Sequence, residues 1–302
     1  MKKLVTILIC AVVCAFSFSG CVDGFTISSI FSETNNEEQL SIQFLNVGQA
    51  DSELVILPDN RTILIDAGNK NDGDLIVDYL NSLKIVSLDY VICTHPHEDH
   101  IGGMKDIIEN FDIGQLYLPL FSEDDTPTTK VYENLLEAMD DKGLSITTAV
   151  AGLSILSEPG LDIHMIAPNS TDYGDLNEYS AVVYLKYYNT VALFMGDAGI
   201  TSEKEILKSG YDINADILKV GHHGSSTASS KKFISAVSPK EAIISCGKNN
   251  SYDHPNDITL ETLGNACANV YRTDIDGTIE IIVSSSGYTI SLLPDLNLNG
   301  GD

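Results

Sequence analysis

The sequence predicts an α/β protein in which two β-sheets pack together and helices cover their outer faces. Short apolar runs bounded by turn residues alternate with segments of helical periodicity, and this alternation occurs in both halves of the chain. Hydrophobic residues make up 43% of the 302 residues, which is enough for a large core. Nothing between residues 40 and 290 has the composition of a linker, so we expect one domain.

The strand predictions rest on short apolar runs that end at turn-forming residues. In the first half of the chain they cover residues 40–47, 53–57, 62–66 and 88–94. In the second half they cover residues 180–187, 191–195, 215–220, 241–246 and 279–283. Early hairpins followed by strand–helix alternation favour two packed sheets over a single open sheet.

The helix predictions rest on apolar residues that recur every three to four positions. They cover residues 74–83, 101–111, 131–141, 202–208, 231–237 and 258–268. Because these segments lie between predicted strands, we expect the helices to cover the outer faces of the sheets.

The first 20 residues have the pattern of a lipoprotein signal peptide. Lys2 and Lys3 precede an apolar stretch, which ends at Ser19-Gly20-Cys21. Cleavage before Cys21 would leave a tether at residues 21–38, a folded domain at 39–296 and a tail at 297–302. We therefore expect an extracytoplasmic protein, anchored to a bacterial cell membrane by a lipid on Cys21. Ordinary secretion and an uncleaved anchor are the alternatives.

The chain is strongly acidic, with 43 acidic and 17 basic residues and a formal net charge of −26. Such a surface repels polyanions, because non-specific binding of nucleic acid depends on Lys and Arg that neutralise phosphates. Processive binding of long nucleic acid is therefore disfavoured, whereas short nucleic acids and small phosphodiesters are compatible with this net charge as substrates. No obligate protein partner is evident.

Six of the seven histidines fall in three short segments. The densest segment is Thr94-His95-Pro96-His97-Glu98-Asp99-His100, which follows a predicted strand. Imidazole and carboxylate are suitable donors for Zn²⁺, Mn²⁺ or iron, and this spacing lets one turn present ligands to two adjacent metal positions. A surface cluster of histidines without a metal is the alternative.

Two later segments contain further candidate ligands. A predicted buried strand ends at Gly196-Asp197, although such a pair is also common in simple turns. Another ends at His222-His223-Gly224. Adjacent residues in a strand point to opposite faces, so we expect only one of these histidines to be a direct ligand. His223 is favoured and His222 would support the site, or the two roles are exchanged.

These segments together resemble the metallo-β-lactamase fold superfamily. Within it, three features are similar to the branch that contains the hydrolase domain of the competence protein ComEC. They are the opening Asn46-Val47-Gly48-Gln49-Ala50-Asp51, the segment His222-His223-Gly224-Ser225, and the late Tyr252-Asp253-His254-Pro255. The resemblance covers roughly residues 40–290 and implies a four-layer αββα sandwich with the site at an open sheet edge. It is specific for the fold and much less so for the substrate.

The resemblance also implies which residues bind metal. His95 and His97 would bind a first ion, while Asp99, His100 and His223 would bind a second and Asp197 would bridge them. Many family members supply a further histidine to the first ion. In this sequence that position falls near Asn177-Glu178-Tyr179-Ser180, with Asn177 as an alternative ligand, and His164 is expected to be an ordinary strand residue. Asp66 matches an aspartate that supports the site by hydrogen bonds. One or two ions of Zn or Mn are therefore expected.

The implied function is metal-dependent hydrolysis, with a phosphodiesterase or nuclease-like enzyme favoured. Metal-bound hydroxide would attack the substrate while Asp99 orients it and manages its proton. His254, Lys219 and Ser225 are candidates to contact a phosphate or to protonate a leaving group, although the segment around His254 could be a plain turn. The expected partner is a phosphodiester or another small-molecule substrate.

Two other functional classes stay open. One is an esterase or lactonase that acts on another extracytoplasmic substrate, such as a teichoic-acid phosphocholine ester. The chain has no Trp, the residue that commonly encloses choline, although its 13 Tyr could replace it. The other class is a non-catalytic scaffold lipoprotein, which the presence of every second-ion ligand disfavours.

The lipid anchor is tested by Cys21→Ala. We expect the variant to be released from the membrane or to stay as an uncleaved precursor, because stable anchoring needs acyl chains at this cysteine. Fractionation and mass spectrometry of the N-terminus check this. Wild-type protein found in the cytosol with Met1 intact would contradict the expectation.

Overall fold

The structure is a computed structural model that describes residues 38–266, 268–294 and 296. The predicted leader at 1–20, the predicted tail at 297–302 and all of the predicted tether except residue 38 lie outside the described residues. Within them, none of the helices is both long enough and apolar enough to cross a membrane.

The strands within the described ranges are numbered in chain order. They are β1 (Leu40–Phe44), β2 (Glu53–Ile56), β3 (Thr62–Ile65), β4 (Ser87–Ile92), β5 (Asp112–Pro119), β6 (Ile146–Ala149), β7 (Ser154–Glu158), β8 (Leu161–Ala167), β9 (Val182–Tyr187), β10 (Thr190–Phe194), β11 (Ile217–Lys219), β12 (Glu241–Ile244), β13 (Asn269–Arg272), β14 (Thr278–Ser284) and β15 (Gly287–Leu293). The helices are α1 (Gly73–Ser82), α2 (Glu98–Ile101), α3 (Met104–Asn110), α4 (Lys130–Lys142), α5 (Ile200–Ser209), α6 (Lys231–Val237), α7 (Asp257–Asn265) and α8 (Thr273–Asp276).

Two sheets form the centre of the molecule. The first has the strand order β15-β14-β1-β2-β3-β4-β5-β6, and the second has the order β13-β12-β11-β10-β9-β8-β7. Strand β3 runs parallel to β4, and β10, β11 and β12 run parallel to one another. Since the carboxyl ends of parallel strands meet at one edge, the loops that follow these strands are brought together.

Three hydrophobic layers hold the four structural layers together. Between the sheets, Phe44 stacks on Phe194 with ring centroids 5.9 Å apart. The other face of the first sheet packs on α1, α3 and α4, and that of the second packs on α5, α6 and α7. The predicted αββα sandwich is therefore confirmed.

Most helices lie where they were predicted, and their ends have local causes. Helix α6 covers the predicted range, and the Ser230 side chain accepts a hydrogen bond from the Phe233 amide at its start. The helix predicted over 101–111 was wrong in its extent, because it is divided into α2 and α3 at Gly102-Gly103. The Gly102 amide donates to the Gly68 carbonyl at 2.9 Å, so this glycine pair packs directly against the loop after β3.

Several strands were not predicted. Three of them, β7, β13 and β15, are partly exposed, and each has only one neighbouring strand in its sheet. Such edge strands lack the continuous apolar run that marks a central strand. The strand predicted at 40–47 ends at Phe44, and the chain then turns toward Asp51.

The packing between the sheets is tested by Phe194→Ala. We expect a loss of about 3–5 kcal/mol in the free energy of unfolding, because the substitution leaves a cavity against Phe44. Chemical denaturation measures this loss. Val86→Ala, at a loop position that is 80% exposed, is the control and should change stability by less than about 0.5 kcal/mol. Equal effects of the two substitutions would contradict the packing described.

Candidate metal centre

Histidine and aspartate side chains from both sheets meet at the edge formed by the carboxyl ends of the parallel strands. Asp66 follows β3, and the segment His95–His100 follows β4 in the first sheet. Asp197 follows β10 and the His222-His223 pair follows β11 in the second sheet. Neither sheet alone contains the whole cluster.

Asp66 orients the segment that follows β4. One of its carboxylate oxygens accepts a hydrogen bond from the Thr94 amide at 2.8 Å. The other oxygen lies 2.6 Å from the Thr94 hydroxyl and 2.7 Å from His100 Nδ1. Because Nδ1 of His100 is held in this way, its Nε2 is directed toward Asp197.

Gly196 allows this segment to approach Asp197. Its φ is +51°, and a Cβ atom added there would lie 2.9 Å from the Thr94 Cβ. The Ser180 hydroxyl accepts a hydrogen bond from the Asp197 amide at 3.1 Å, which fixes the aspartate from its other side. A glycine is therefore needed before the aspartate for steric as well as conformational reasons.

Donor atoms from His100, His223, Asp99 and Asp197 lie close together. His100 Nε2 lies 3.2 Å from Asp197 Oδ1, and His223 Nε2 lies 3.7 Å from the same oxygen. Asp99 Oδ2 is 3.3 Å from His223 Nε2. Both Nε2 atoms and Asp197 Oδ1 are buried and make no hydrogen bond within the described residues. Asp99, His100 and His223 form one group whose donor atoms lie within 4.8 Å of one another, and Asp197 shares other such groups with each of the two histidines. A divalent metal ion would satisfy these donors.

The electrostatics of this position also suit a cation. Burial lowers the pKa of His100, but the Asp197 and Asp66 carboxylates outweigh burial and hold that pKa well above its usual value. Burial also lowers the pKa of His223, but the Asp197 and Asp51 carboxylates outweigh burial and raise that pKa to about 10. A metal ion and a proton compete for the same imidazole nitrogen, so this environment would favour either positive charge.

His95 and His97 lie beside this position. His95 Nε2 is 3.0 Å from His97 Nδ1 and 3.8 Å from Asp197 Oδ2. Burial, and secondly the neighbouring His100, hold the pKa of His95 well below its usual value. His95 is therefore neutral at neutral pH, which is the form that binds metal.

The His222-His223 pair differs from its predicted geometry. The expectation that only one of these histidines enters the site assumed an extended strand, but β11 ends at Lys219 and the pair lies in the short 3-10 turn Gly221–Gly224. Both histidines have a φ of +51°. As a result both rings face the cluster, and His222 Nε2 lies 3.6 Å from Asp197 Oδ2.

The candidate role of Lys219 in contacting substrate was wrong. Its amine is buried behind His223, where it lies 2.6 Å from Asp51 Oδ2 and 3.9 Å from Glu53 Oε1. Asp51 Oδ1 is 3.2 Å from His223 Nδ1, so this ion pair reaches the site through the histidine. Burial raises the pKa of Asp51, but Lys219 and His223 outweigh it and bring that pKa to about 2.

The remaining candidate residues occupy different places around the cluster. Ser225 does not line the cleft, and its hydroxyl instead lies 3.0 Å from that of Thr227, which contacts His222. His164 lies on β8, 3.1 Å from Asp162, and is outside the site. The open cleft above the cluster is lined by Gln49, Asn69, His97, Glu98, Asp99, Asn177, Asp197, His222, His223, Tyr252 and His254.

Sequence reasoning missed the supporting role of Asp51. The residue was recognised only as part of a motif, whereas the structure places it between Lys219 and His223. A signal was present, because Lys219 lies in an otherwise apolar strand and a buried lysine needs a carboxylate partner. The Ser245 carbonyl, 3.0 Å from His223 Nδ1, has no comparable signal because every residue carries a backbone carbonyl.

The four-layer fold and the His/Asp cluster together define a metallo-hydrolase type of protein. A family model described as "Metallo-beta-lactamase superfamily" matches residues 45–248. The chain belongs to this superfamily, as the resemblance predicted.

Individual proteins and structures agree with this classification. The chain is 30% identical over 270 residues to ComE operon protein 3 of Bacillus subtilis, covering 84% of this chain and 34% of that protein. It is 26% identical over 253 residues to competence protein ComA of Neisseria gonorrhoeae, and the match covers 83% of this chain and 33% of ComA. The chain thus spans about a third of these curated relatives and is ComEC-like. The structure of Igni18, a metallo hydrolase from Ignicoccus hospitalis, matches with a TM-score of 0.50 at 17% identity, covering 80% of this chain and 98% of that one.

The buried ion pair beneath His223 is tested by Lys219→Met. We expect a loss of about 3–5 kcal/mol in the free energy of unfolding, because the substitution leaves Asp51 as an uncompensated buried charge. Chemical denaturation of the chelated protein measures this loss. The control is Lys240→Met, which removes a 2.7 Å pair with Asp216 from a lysine that is 68% exposed and should cost less than about 1 kcal/mol. If both variants lost less than about 1 kcal/mol, the importance of the buried pair would be refuted.

Proposed function

We propose that this protein is a metal-dependent phosphodiesterase, nuclease-like in its chemistry, that uses Zn or Mn. The observation that carries this proposal is the clustering of donor atoms from His100, His223, Asp99 and Asp197 beside an open cleft. Buried donors without hydrogen-bond partners are costly unless a ligand satisfies them, and a metal is the ligand that this donor set suits.

The lining of the cleft favours a polar, anionic substrate. All the side chains that line it are polar, including the amides of Gln49, Asn69 and Asn177. The carboxylates of Glu98, Asp99 and Asp197 would repel a phosphodiester unless bound cations offset their charge. Substrate binding is therefore expected to depend on metal, and a short phosphodiester suits this acidic chain better than a long polyanion.

When bound, the metal would lower the pKa of a coordinated water to about 7 and offset negative charge on a phosphoryl oxygen. In this proposal Asp99 would orient a water and accept its proton, since its side chain is 31% exposed at the cleft while Oδ2 faces His223. Burial raises the pKa of Asp99, but His223 and His100 outweigh it and hold that pKa below its usual value. Asp99 is thus ionised at neutral pH, as this role requires.

His254 would contact the substrate beside His222 and His223, since it lines the same cleft. Its ring centroid lies 6.4 Å from that of His223, and its Nδ1 is buried without a hydrogen-bond partner among the described residues. Burial, and then the neighbouring His222 and His223, lower the pKa of His254. A neutral imidazole suits a hydrogen bond to a substrate oxygen better than it suits proton donation at neutral pH.

Other substrates stay as alternatives to be measured. An esterase or lactonase that acts on another extracytoplasmic substrate, such as a teichoic-acid phosphocholine ester, would use the same donor set. One of the curated relatives described above, ComA, is named a competence protein, which favours a nucleic-acid phosphodiester, although this chain matches only about a third of it. We further propose that the domain acts outside the cytoplasm, held at the membrane by the lipid on Cys21 or secreted.

The proposal is tested by Asp99→Asn. The full-length protein is chelated, reconstituted with Mn²⁺ or Zn²⁺, and assayed on bis(p-nitrophenyl) phosphate, a short single-stranded DNA, a phosphocholine ester, a lactone and a β-lactam. We expect wild-type activity on the phosphodiesters and a loss of at least about 100-fold in the variant, because the amide keeps the shape but loses the charge and basicity of Asp99.

Two variants complete this experiment. His254→Ala should lower turnover by about 100-fold while metal content stays unchanged, because the ring faces the substrate and not the ion. His164→Ala removes a histidine outside the cleft and should keep full activity. Full phosphodiesterase activity in Asp99→Asn would refute its role. If the wild type binds metal and cleaves another substrate of the panel but no phosphodiester, the esterase or lactonase alternative is favoured. If it binds metal and cleaves none of the substrates, a non-catalytic scaffold is favoured.

A further inference from the structure

The carboxylate of Asp197 divides the surrounding histidines into two sets. Its Oδ1 faces His100 Nε2 at 3.2 Å and His223 Nε2 at 3.7 Å. Its Oδ2 faces His95 Nε2 at 3.8 Å and His222 Nε2 at 3.6 Å. A carboxylate that bridges two metal positions presents one oxygen to each, so the division indicates which nitrogens belong to which position.

We propose that His222 is the third nitrogen ligand of the first metal position, together with His95, His97 and Asp197 Oδ2. The family resemblance left this position short of one histidine, and His164 is occupied with Asp162 elsewhere. This inference rests on the metal dependence proposed above and is independent of the substrate.

The orientation of the His222 ring supports its role as a ligand. Its Nδ1 lies 2.9 Å from the Thr227 hydroxyl. That hydroxyl can accept a hydrogen bond from Nδ1–H, which leaves the lone pair of Nε2 directed at the cleft. His95 has the same arrangement, because its Nδ1 lies 3.1 Å from the Thr94 hydroxyl while its Nε2 faces Asp197.

The backbone of the turn explains how two adjacent histidines face one carboxylate. His222 and His223 both adopt left-handed conformations, which residues with a Cβ seldom occupy. The His222 amide donates to the Gly196 carbonyl at 3.0 Å, and the Ser225 amide donates to the His222 carbonyl at 2.7 Å. In an extended strand the two rings would point to opposite faces, so this turn is what brings His222 to Asp197.

The separations from Asp197 Oδ2 are close to those of a metal site, but His97 and His222 would have to move to complete it. Among the described residues, neither histidine belongs to a group whose donor atoms all lie within 4.8 Å of one another. Metal–nitrogen bonds of 2.0–2.1 Å in a tetrahedral site place the donor atoms roughly 3.3–3.5 Å apart. The separations of 3.6 and 3.8 Å from Asp197 Oδ2 are a few tenths of an ångström longer. The His222 ring lines the open cleft, where it has space for this movement.

Asn177 is the competing ligand. It lies at the position where the family resemblance expects one, and its Oδ1 is buried without a hydrogen-bond partner among the described residues. His222 is favoured because its Nε2 faces the free oxygen of Asp197, and because imidazole is a better donor than an amide oxygen for zinc.

The experiment compares metal binding by wild type and His222→Gly. Glycine removes the imidazole and adopts a positive φ without strain, so the turn is preserved. Full-length protein is chelated and titrated with Zn²⁺ or Mn²⁺ by isothermal calorimetry, and metal content is measured by mass spectrometry. We expect two ions per wild-type chain. In the variant one site should stay intact and the other should weaken by about 100-fold or more, since even an outer residue costs 10–100-fold.

Rescue and control variants sharpen the result. Free imidazole should restore occupancy of the weakened site in His222→Gly, because it can replace the missing ring. Thr227→Val, which removes the partner of Nδ1, should weaken the same site by about 10-fold. His254→Ala removes a ring whose centroid is 5.6 Å from that of His222 and should keep both ions.

Three outcomes would overturn the proposal. They are unchanged binding of two ions by His222→Gly, binding of a single ion by saturated wild type, and loss of the first site in Asn177→Ala but not in His222→Gly. Because no substrate is present, failure of the phosphodiesterase assignment leaves this measurement unaffected. Loss of the first site with intact hydrolysis of any substrate would still support the ligand assignment.

Discussion

Three buried carboxylates at one sheet edge set the constraint on which the rest of this structure depends. Asp51, Asp66 and Asp197 are each almost fully buried, and each needs a cation or a hydrogen-bond donor. Lys219 pairs with Asp51, and Asp66 contacts His100 and accepts a hydrogen bond from the Thr94 amide. One oxygen of Asp197 stays without a hydrogen bond in the described part of the chain. The edge is therefore built around positive charge, and metal binding and folding stability are expected to be linked.

A common device orients the imidazoles. In four histidines Nδ1 contacts a hydrogen-bonding group while Nε2 faces Asp197. The contacts of Nδ1 are the Thr94 hydroxyl for His95, the Asp66 carboxylate for His100, the Thr227 hydroxyl for His222 and the Ser245 carbonyl for His223. Such partners fix the tautomer and the ring orientation, so the donor atoms are arranged before any ion arrives. A preorganised site loses less entropy when it binds.

Much of the fold and of the site composition could be predicted from the sequence, because their signals are local. Central strands such as β10 are continuous apolar runs, and α6 has a clear cap at Ser230. The clustered histidines likewise identified the cleft. Edge strands such as β15 could not be predicted, since half-exposed sequences carry little periodicity. The burial of Lys219 against Asp51 was missed because that partner lies 168 positions away in the sequence. The orientation of His222 could not be predicted because it depends on a left-handed turn.

The position of Asp197 makes the site a property of both sheets. His95 and His100 follow β4 in the first sheet, whereas Asp197, His222 and His223 follow strands of the second. Each oxygen of Asp197 faces one histidine nitrogen from the first sheet and one from the second. A shift of one sheet against the other would therefore disturb all four separations together. The apolar layer between the sheets therefore fixes the geometry of the metal centre as well as the stability of the fold. A site assembled in this way forms only after the sheets have packed, which is why its geometry cannot be read from either half of the sequence alone.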